Sequence, residues 1–317
     1  MNNKKKEQYN ERDRKISFFS ILDEQGYRKE KIEEESKDNR ALFTRSATGK
    51  DKTMNKSKQA LLNLVFLLQT LVINTFGFLG LFNGLTQKQV SDMYPTLITP
   101  SPFTFSIWSL IYSLLILSVM MMLIKNKEKY YAIAIEEISS LFKLSCVLNS
   151  LWIIAFSYVQ LELSLLLIFM FLLSLTKICE KLLQINDGEH WLLPLTFGLY
   201  GGWLFLATVA NTAATLVKLQ WDGFGISPET WSILVLVVVI LLVLYVLHKL
   251  KNAAFSLPVA WAYYGIYHAL EGKDQLLRGT ALLGMALLIL LALLRFYRNH
   301  YFVLPKDKEI AIEGRKH

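Results

Sequence analysis

From about residue 60 onward the chain alternates long apolar runs with short polar breaks. The runs fall at 60–82, 105–124, 141–158, 163–183, 191–216, 231–249, 253–270 and 276–296. A helix crossing the ~30 Å hydrocarbon core of a bilayer needs about 20 residues, and the runs are close to that length. Barrel strands alternate apolar and polar positions, whereas these runs are continuously apolar, so helices are the predicted elements. The weakest run is the seventh, 253–270, which holds Pro258, Gly265 and His268 and reads as a kinked or re-entrant helix. The pattern predicts an all-α, polytopic membrane helical bundle of about eight transmembrane helices. Residues 1–58 have the opposite character and read as a polar, disordered tail, because so few apolar groups cannot offset the entropy of ordering. A short island within it, ISFFSIL at 16–22, suits a membrane-surface or partner contact, or no contact at all.

Composition sharpens this division. The chain is 53% hydrophobic, yet sixteen of its 34 Lys/Arg and eleven of its 26 Asp/Glu fall in residues 1–58. The net charge of +8 raises the question of a nucleic-acid partner. Its distribution argues against one, since the cations flank apolar runs and no zinc-finger, helix-turn-helix or RNA-binding signature is present. Counting Lys and Arg beside each run instead orients the bundle. One set of segments carries Lys50, Lys52, Lys56 and Lys58, then Lys125, Lys127 and Lys129, then Lys177 and Lys181, then Lys249 and Lys251, and finally Arg295, Arg298, Lys306, Lys308, Arg315 and Lys316. The alternate segments carry Lys88, none, Lys218, and Lys273 with Arg278. This bias predicts an even number of crossings with both termini cytoplasmic, in a multi-pass protein of the plasma membrane. A basic region does not directly precede the first long apolar run, and the acid-rich stretch 23–38 does not suit a mitochondrial transit peptide, so neither leader is expected. Cys146 and Cys179 both lie in apolar runs and read as small buried hydrophobes, not as a disulfide or a metal site.

Candidate chemistry is sparse. There is no Walker A loop, GxGxxG, HExxH or GxSxG, and no catalytic residue or metal centre is expected. His190, His248, His268, His300 and His317 lie near the ends of runs or in the tail, where a solvated imidazole is commoner than a haem ligand. Glu162, Lys143 and Glu180 also sit at run ends, and the scarcity of mid-membrane charge argues against ion coupling. Aromatic and amide groups do cluster. The first loop carries Tyr94, Pro95, Pro100, Pro102 and Phe103, and the second run opens with Phe105, Trp108 and Tyr112. Trp108 and Tyr112 are four apart and share a helical face, as do Asn149 and Trp152, and Trp203, Ala207 and Asn211. Asn149 and Asn211 need partners in an apolar medium, either each other or the polar edge of a ligand. Interhelical hydrogen bonding and interfacial Trp/Tyr belts are the structural alternative. Gly198 and Gly202 form a G-x-x-x-G pair that suits a homodimer contact or tight packing within one chain.

The segment Pro102-Phe-Thr-Phe-Ser-Ile-Trp108-Ser-Leu-Ile-Tyr112 resembles the second-helix motif of the TspO/MBR family, the tryptophan-rich sensory proteins related to the translocator protein, or peripheral benzodiazepine receptor. Leu148-Asn149-Ser-Leu-Trp152 is similar to the family's third-helix L-N-x-x-W. Pro194 followed by Trp203-Leu-Phe-Leu-Ala207-Thr-Val-Ala-Asn211 is similar to its fifth helix. The motifs occur in family order over about residues 60–217. The chain departs from the short members by its tail, a longer Pro194-to-Trp203 interval, the loss of the small pair after the second-helix tyrosine, and about three further helices. It therefore resembles a long, divergent subgroup.

The resemblance implies a five-helix membrane core at 59–217, three added helices at 218–297 and a basic cytoplasmic tail at 298–317. It further implies a pocket lined by Phe105, Trp108, Tyr112, Asn149, Trp152, Trp203, Ala207 and Asn211, with Tyr94, Pro100, Pro102 and Phe103 in a covering loop. Relatives bind tetrapyrroles such as porphyrin or haem, sterols, or benzodiazepine-like drugs. The expected role is that of a non-enzymatic receptor, sensor or carrier, requiring no cofactor and embedded in the lipid bilayer. Alternatives are a transporter or flippase for a lipid-like solute without ion coupling, and an enzyme that degrades porphyrin.

Overall fold

A computed structural model describes residues 55–306; the expectations for the tail before residue 55, its 16–22 island and residues 307–317 lie outside the described residues. Its helices are α1 (Lys56–Phe78), α2 (Gln87–Met93), a 3-10 turn (Pro102–Ser106) running into α3 (Ile107–Ile124), α4 (Lys129–Ser157), α5 (Leu161–Gln184) and α6 (Leu192–Lys218). A second 3-10 turn (Gly223–Gly225) leads to α7 (Pro228–Leu250), α8 (Ser256–Ala269) and α9 (Gln275–Arg298). Every described element is helical, as the apolar periodicity predicts. Among the described residues, seven helices are long and apolar enough to cross a membrane.

Of the eight predicted crossings, the exception is α8. Its 14 residues rise only ~21 Å. The chain still returns across the bundle here, because the C-terminal ends of α7 and α9 lie together: Asn299 donates to the Lys251 carbonyl at 2.7 Å. Helix formation starts late because Lys251 and Asn252 are committed elsewhere. Lys251 ends α7 in the left-handed conformation (φ 53°), and Asn252 then spends its side chain on backbone groups. Its Nδ2 donates to the Pro194 carbonyl at 2.7 Å, and its Oδ1 accepts from Ala254 N–H at 2.9 Å. Pro258 falls in the first turn of α8, where a missing N–H costs no helical bond.

In the other direction, α4 runs 29 residues, far beyond the 141–158 run. Charged positions end an apolar run but not a helix. Glu136 faces Lys56 at 4.0 Å and Glu137 faces Lys181 at 2.8 Å, so α4 continues through the polar boundary into water.

The helices α1, α3, α6, α5 and α4 pack side by side in that order, and α4 returns against α1 to close a ring. Helix α8 lies on α6, α9 on α8, and α7 on α9, within the same compact unit. Phe142, Phe171, Phe197 and Tyr263 are fully buried between them. Outward positions such as Leu61, Val72, Leu241, Leu283 and Leu293 are exposed. So much apolar surface is unlike a water-soluble monomer and is solvated by lipid hydrocarbon. Cys146 and Cys179 are buried and unpaired.

Gly198 and Gly202 are filled from within the chain. A Cβ on Gly198 would meet the Asn252 amide at 2.5–2.8 Å, and one on Gly202 would collide with the Phe255 carbonyl oxygen. The close approach permitted by G-x-x-x-G is therefore used by the α7–α8 junction, and these two glycines are not open to a second copy. This is the packing within one chain that the pair also suited.

One end of the bundle gathers the basic loops. There His190 bridges two of them, with Nδ1 2.7 Å from Asp187 and Nε2 2.6 Å from Glu128. Its ring is stacked on Tyr130 at 4.2 Å. Hydrogen bonds from Lys125 and His190 hold the Glu128 carboxyl below its ordinary range. For Asp187, partial burial pushes upward, but the Glu189 and His190 N–H groups and the His190 ring outweigh it and hold the group low. Depressed carboxylates stabilise the fold above their unfolded values, and that contribution is lost as pH falls through the folded values. The expected outcome is a thermal midpoint in detergent that drops below about pH 4. A Glu128→Gln/Asp187→Asn variant should start lower at neutral pH and fall less on acidification; an equally steep acid fall in the variant would exclude these carboxylates as its source.

Candidate functional site

The residues of the three motifs come from α3, α4 and α6, and the ring brings many of them together. Trp108 and Tyr112 stack with ring centres 5.2 Å apart and planes 17° from parallel. This is the consequence of four-residue spacing on one helical face. Trp203 presents its ring edge-on to Trp108 at 6.1 Å and to Phe105 at 5.8 Å, and Tyr200 is edge-on to Trp108 at 6.0 Å. Phe105 itself lies in the 3-10 turn before α3 and remains half exposed. Together these rings form an aromatic box on α3 and α6. Edge-on and offset geometries are favoured by the ring quadrupoles, each pair contributing about 0.5–1.5 kcal/mol beyond its burial.

Beside the box runs a chain of side-chain hydrogen bonds. Tyr112 OH donates to Asn74 Oδ1, Asn74 Nδ2 donates to Asn149 Oδ1, and Asn149 Nδ2 donates to Tyr200 OH, each at 2.8 Å. The chain visits α3, α1, α4 and α6. Because α4 and α6 are not adjacent in the ring, its last bond crosses the interior. Asn149 is fully buried, and an amide there without partners would cost about 1–3 kcal/mol.

Asn211 belongs elsewhere. It exchanges hydrogen bonds with Ser164 at 3.1 and 3.2 Å near the start of α5. The two asparagines therefore do not pair with each other, and both polar side chains are already engaged by protein. Ala207, half-buried, lies between Trp203 and Asn211 on α6. Trp152 lies further along α4 with its ring against Phe156 at 6.1 Å.

The loop residues are also divided. Tyr94 packs with Val90, Leu161 and Ala214 in a small cluster of its own. Pro100 and Phe103 turn toward α8. Phe103 stands edge-on to Trp261, Tyr264 and His268 at 5.7–5.8 Å, and Pro102 opens the 3-10 turn.

Two members of the constellation are absent from the expected lining. Tyr200 sits one turn before Trp203, and in the sequence it is one aromatic among several in the fifth run. Asn74 is one of three amides in the first apolar run, with Asn63 and Gln69, and the cost of burying an unpartnered amide is the signal that could have drawn attention to it.

Several buried polar atoms have no partner among the described residues, Thr104 Oγ1 in the 3-10 turn and Ser157 Oγ at the end of α4 among them, and two of them are motif indoles. The indole N–H groups of Trp152 and Trp203 are buried and donate to nothing, although the two residues are only 7% and 2% exposed. Buried donors are nearly always satisfied in folded proteins. Both tryptophans stand in the motifs that carry the resemblance.

No curated protein and no solved structure gives a significant match to the chain. A family model described as TSPO-like protein matches residues 60–294. The match runs past the five-helix ring through α7, α8 and most of α9. With a match over most of its length and an apolar, all-helical architecture to go with it, this integral membrane protein belongs to the TSPO-like protein family.

Proposed function

We propose that the protein is a membrane receptor, sensor or carrier that binds a hydrophobic ligand of tetrapyrrole or sterol type beside the aromatic box. The observation that carries this reading is the pair of buried, unpartnered indole N–H groups on Trp152 and Trp203. Porphyrin carboxylates and sterol hydroxyls are acceptors that would satisfy such donors, while flat apolar faces would pack on Trp108, Tyr112 and Phe105. An apolar site with few orienting polar groups is the usual form of a small-molecule pocket. Because Asn149 and Asn211 already have protein partners, the orienting role passes from the two amides to the two indoles. By the positive-inside bias, the basic end would face the cytoplasm of a plasma membrane. Both ends of the described chain, Lys56 through Glu136 and Lys306 beside Gly188, lie at that end.

Protoporphyrin IX titrated into the detergent-purified protein should shift its absorbance saturably at micromolar or lower concentration. Loss of two stacking or edge-on rings in Trp108→Ala/Trp203→Ala should weaken binding about ten- to a hundredfold. An unchanged affinity in that variant would remove the box from the site. Binding of a sterol but not of porphyrin would select the second ligand class.

A further inference from the structure

The first loop reaches the aromatic box through the 3-10 turn Pro102–Ser106, and that turn has two faces. Phe105 contacts Trp203, whereas Phe103 and Thr104 are held by α8, outside the five-helix ring. The hold is specific. Trp261 Nε1–H donates to the Thr104 carbonyl at 2.8 Å, and Ser101 N–H donates to the Gly265 carbonyl at 3.1 Å. Gly265 leaves no Cβ where one would strike Thr104 Oγ1 and approach Pro100 Cβ at 2.9 Å. Phe103 then fits edge-on among Trp261, Tyr264 and His268. Thr104 is fully buried, while Phe103 stays 43% exposed.

We infer that Trp261 and Gly265 are positioning residues: they clamp the first loop to α8 and thereby gate passage of ligand to and from the Phe105–Trp108–Trp203 box. This inference rests on the ligand-binding reading above for its consequence, though not for the clamp itself. The physical basis is the balance of forces. Two hydrogen bonds between the loop and α8, with an edge-on ring cluster, hold a segment whose next residues carry Phe105 and Trp108. A net contribution of about 0.5–1.5 kcal/mol per hydrogen bond makes the closed loop favoured but openable. A gate differs from a lining residue in its kinetics. Loosening it speeds entry and exit together and leaves affinity nearly unchanged.

The test uses Ile98→Cys, since Ile98 is a buried loop residue (5% exposed) and the native Cys146 and Cys179 are only 4% and 2% exposed. A water-soluble maleimide should label the introduced loop thiol slowly when the rest of the chain is native. Trp261→Phe keeps an aromatic ring but removes the indole donor, and should raise the labelling rate about tenfold. In stopped flow, the association and dissociation rates of protoporphyrin IX should rise by a similar factor, with little change in Kd or thermal midpoint. Gly265→Ala should act in the same direction; if it fails to fold, Trp261→Phe alone decides. Unchanged labelling in folded Trp261→Phe would overturn the clamp. Faster labelling with unchanged porphyrin rates would keep the clamp and overturn its role as a gate. If the parent binds no porphyrin, the ligand reading fails by itself, and the labelling rates still decide whether α8 holds the loop.

Discussion

A Gly202→Val protein should fail to give a monodisperse, folded peak after detergent extraction, whereas Gly279→Ala should behave like the parent or slightly better. A Cβ on Gly202 points at the Phe255 carbonyl oxygen, with the carbonyl carbon at 3.0 Å and Pro258 Cδ at 3.3 Å. These are backbone and ring atoms that cannot rotate aside. Relief requires moving the start of α8, which is pinned by Asn252 to Pro194 and by Ala253 N–H to the Val303 carbonyl at 2.9 Å. Overpacking a tight core costs about 1–3 kcal/mol or more, against a total stability of about 5–15 kcal/mol for a typical domain. The two γ-methyls of valine add to the clash. Gly279 meets nothing within 4 Å, so alanine there gains helix propensity worth up to about 1 kcal/mol. A folded, equally heat-stable Gly202→Val protein would show that α6 and α8 are not locked together at this point.

The second large effect is expected at Asn149. Asn149→Leu removes both of its bonds, to Asn74 and to Tyr200. It leaves an amide hydrogen and a phenol with lost partners inside the bundle. At about 1–3 kcal/mol for each buried group left unsatisfied, the thermal midpoint should fall by several degrees or more. The interaction should be visible as non-additivity. Asn74→Leu/Asn149→Leu should cost clearly less than the sum of the two single changes, by about 0.5–3 kcal/mol, because the double variant strands fewer groups. Strict additivity would mean that the amide chain does not act as a unit.

How much of this is legible in the sequence differs from element to element. Continuous apolarity over about 20 residues has one stable outcome in lipid, a helix with its backbone bonds satisfied internally. The long helices α1, α3, α5, α6, α7 and α9 accordingly lie close to the apolar runs. The extension of α4 is hidden because Glu136 and Glu137 interrupt the run while their salt bridges to Lys56 and Lys181 let the helix continue. The brevity of α8 is hinted at by Pro258, yet its start depends on Asn252 finding the Pro194 carbonyl, 58 residues away.

At the site, the pairing of Trp108 with Tyr112 follows from helical spacing alone, and local periodicity is enough to see it. The partners of Asn149 and Asn211 cannot be read in the same way. An amide in an apolar run announces that it needs a hydrogen bond but carries no information about which helix supplies it. Gly198 and Gly202 likewise announce a close approach without naming the neighbour, which proves to be the α7–α8 junction. The loop residues Pro100 and Phe103 read as a cover for the box, and their attachment to Trp261 and Gly265 emerges only with the packing of α8.

The sequence by itself therefore determined the helical class, the approximate position of the crossings, the family motifs and the rings that share a helical face. These depend on local periodicity and on the chemistry of the surrounding hydrocarbon. Only the tertiary structure decided the order of helices around the ring, the amide chain through Asn74 and Tyr200, the use of the glycines and the hold of α8 on the first loop. Each of these is a contact between residues remote in sequence, selected by shape and by the requirement that buried donors find acceptors, and no local pattern encodes such a choice.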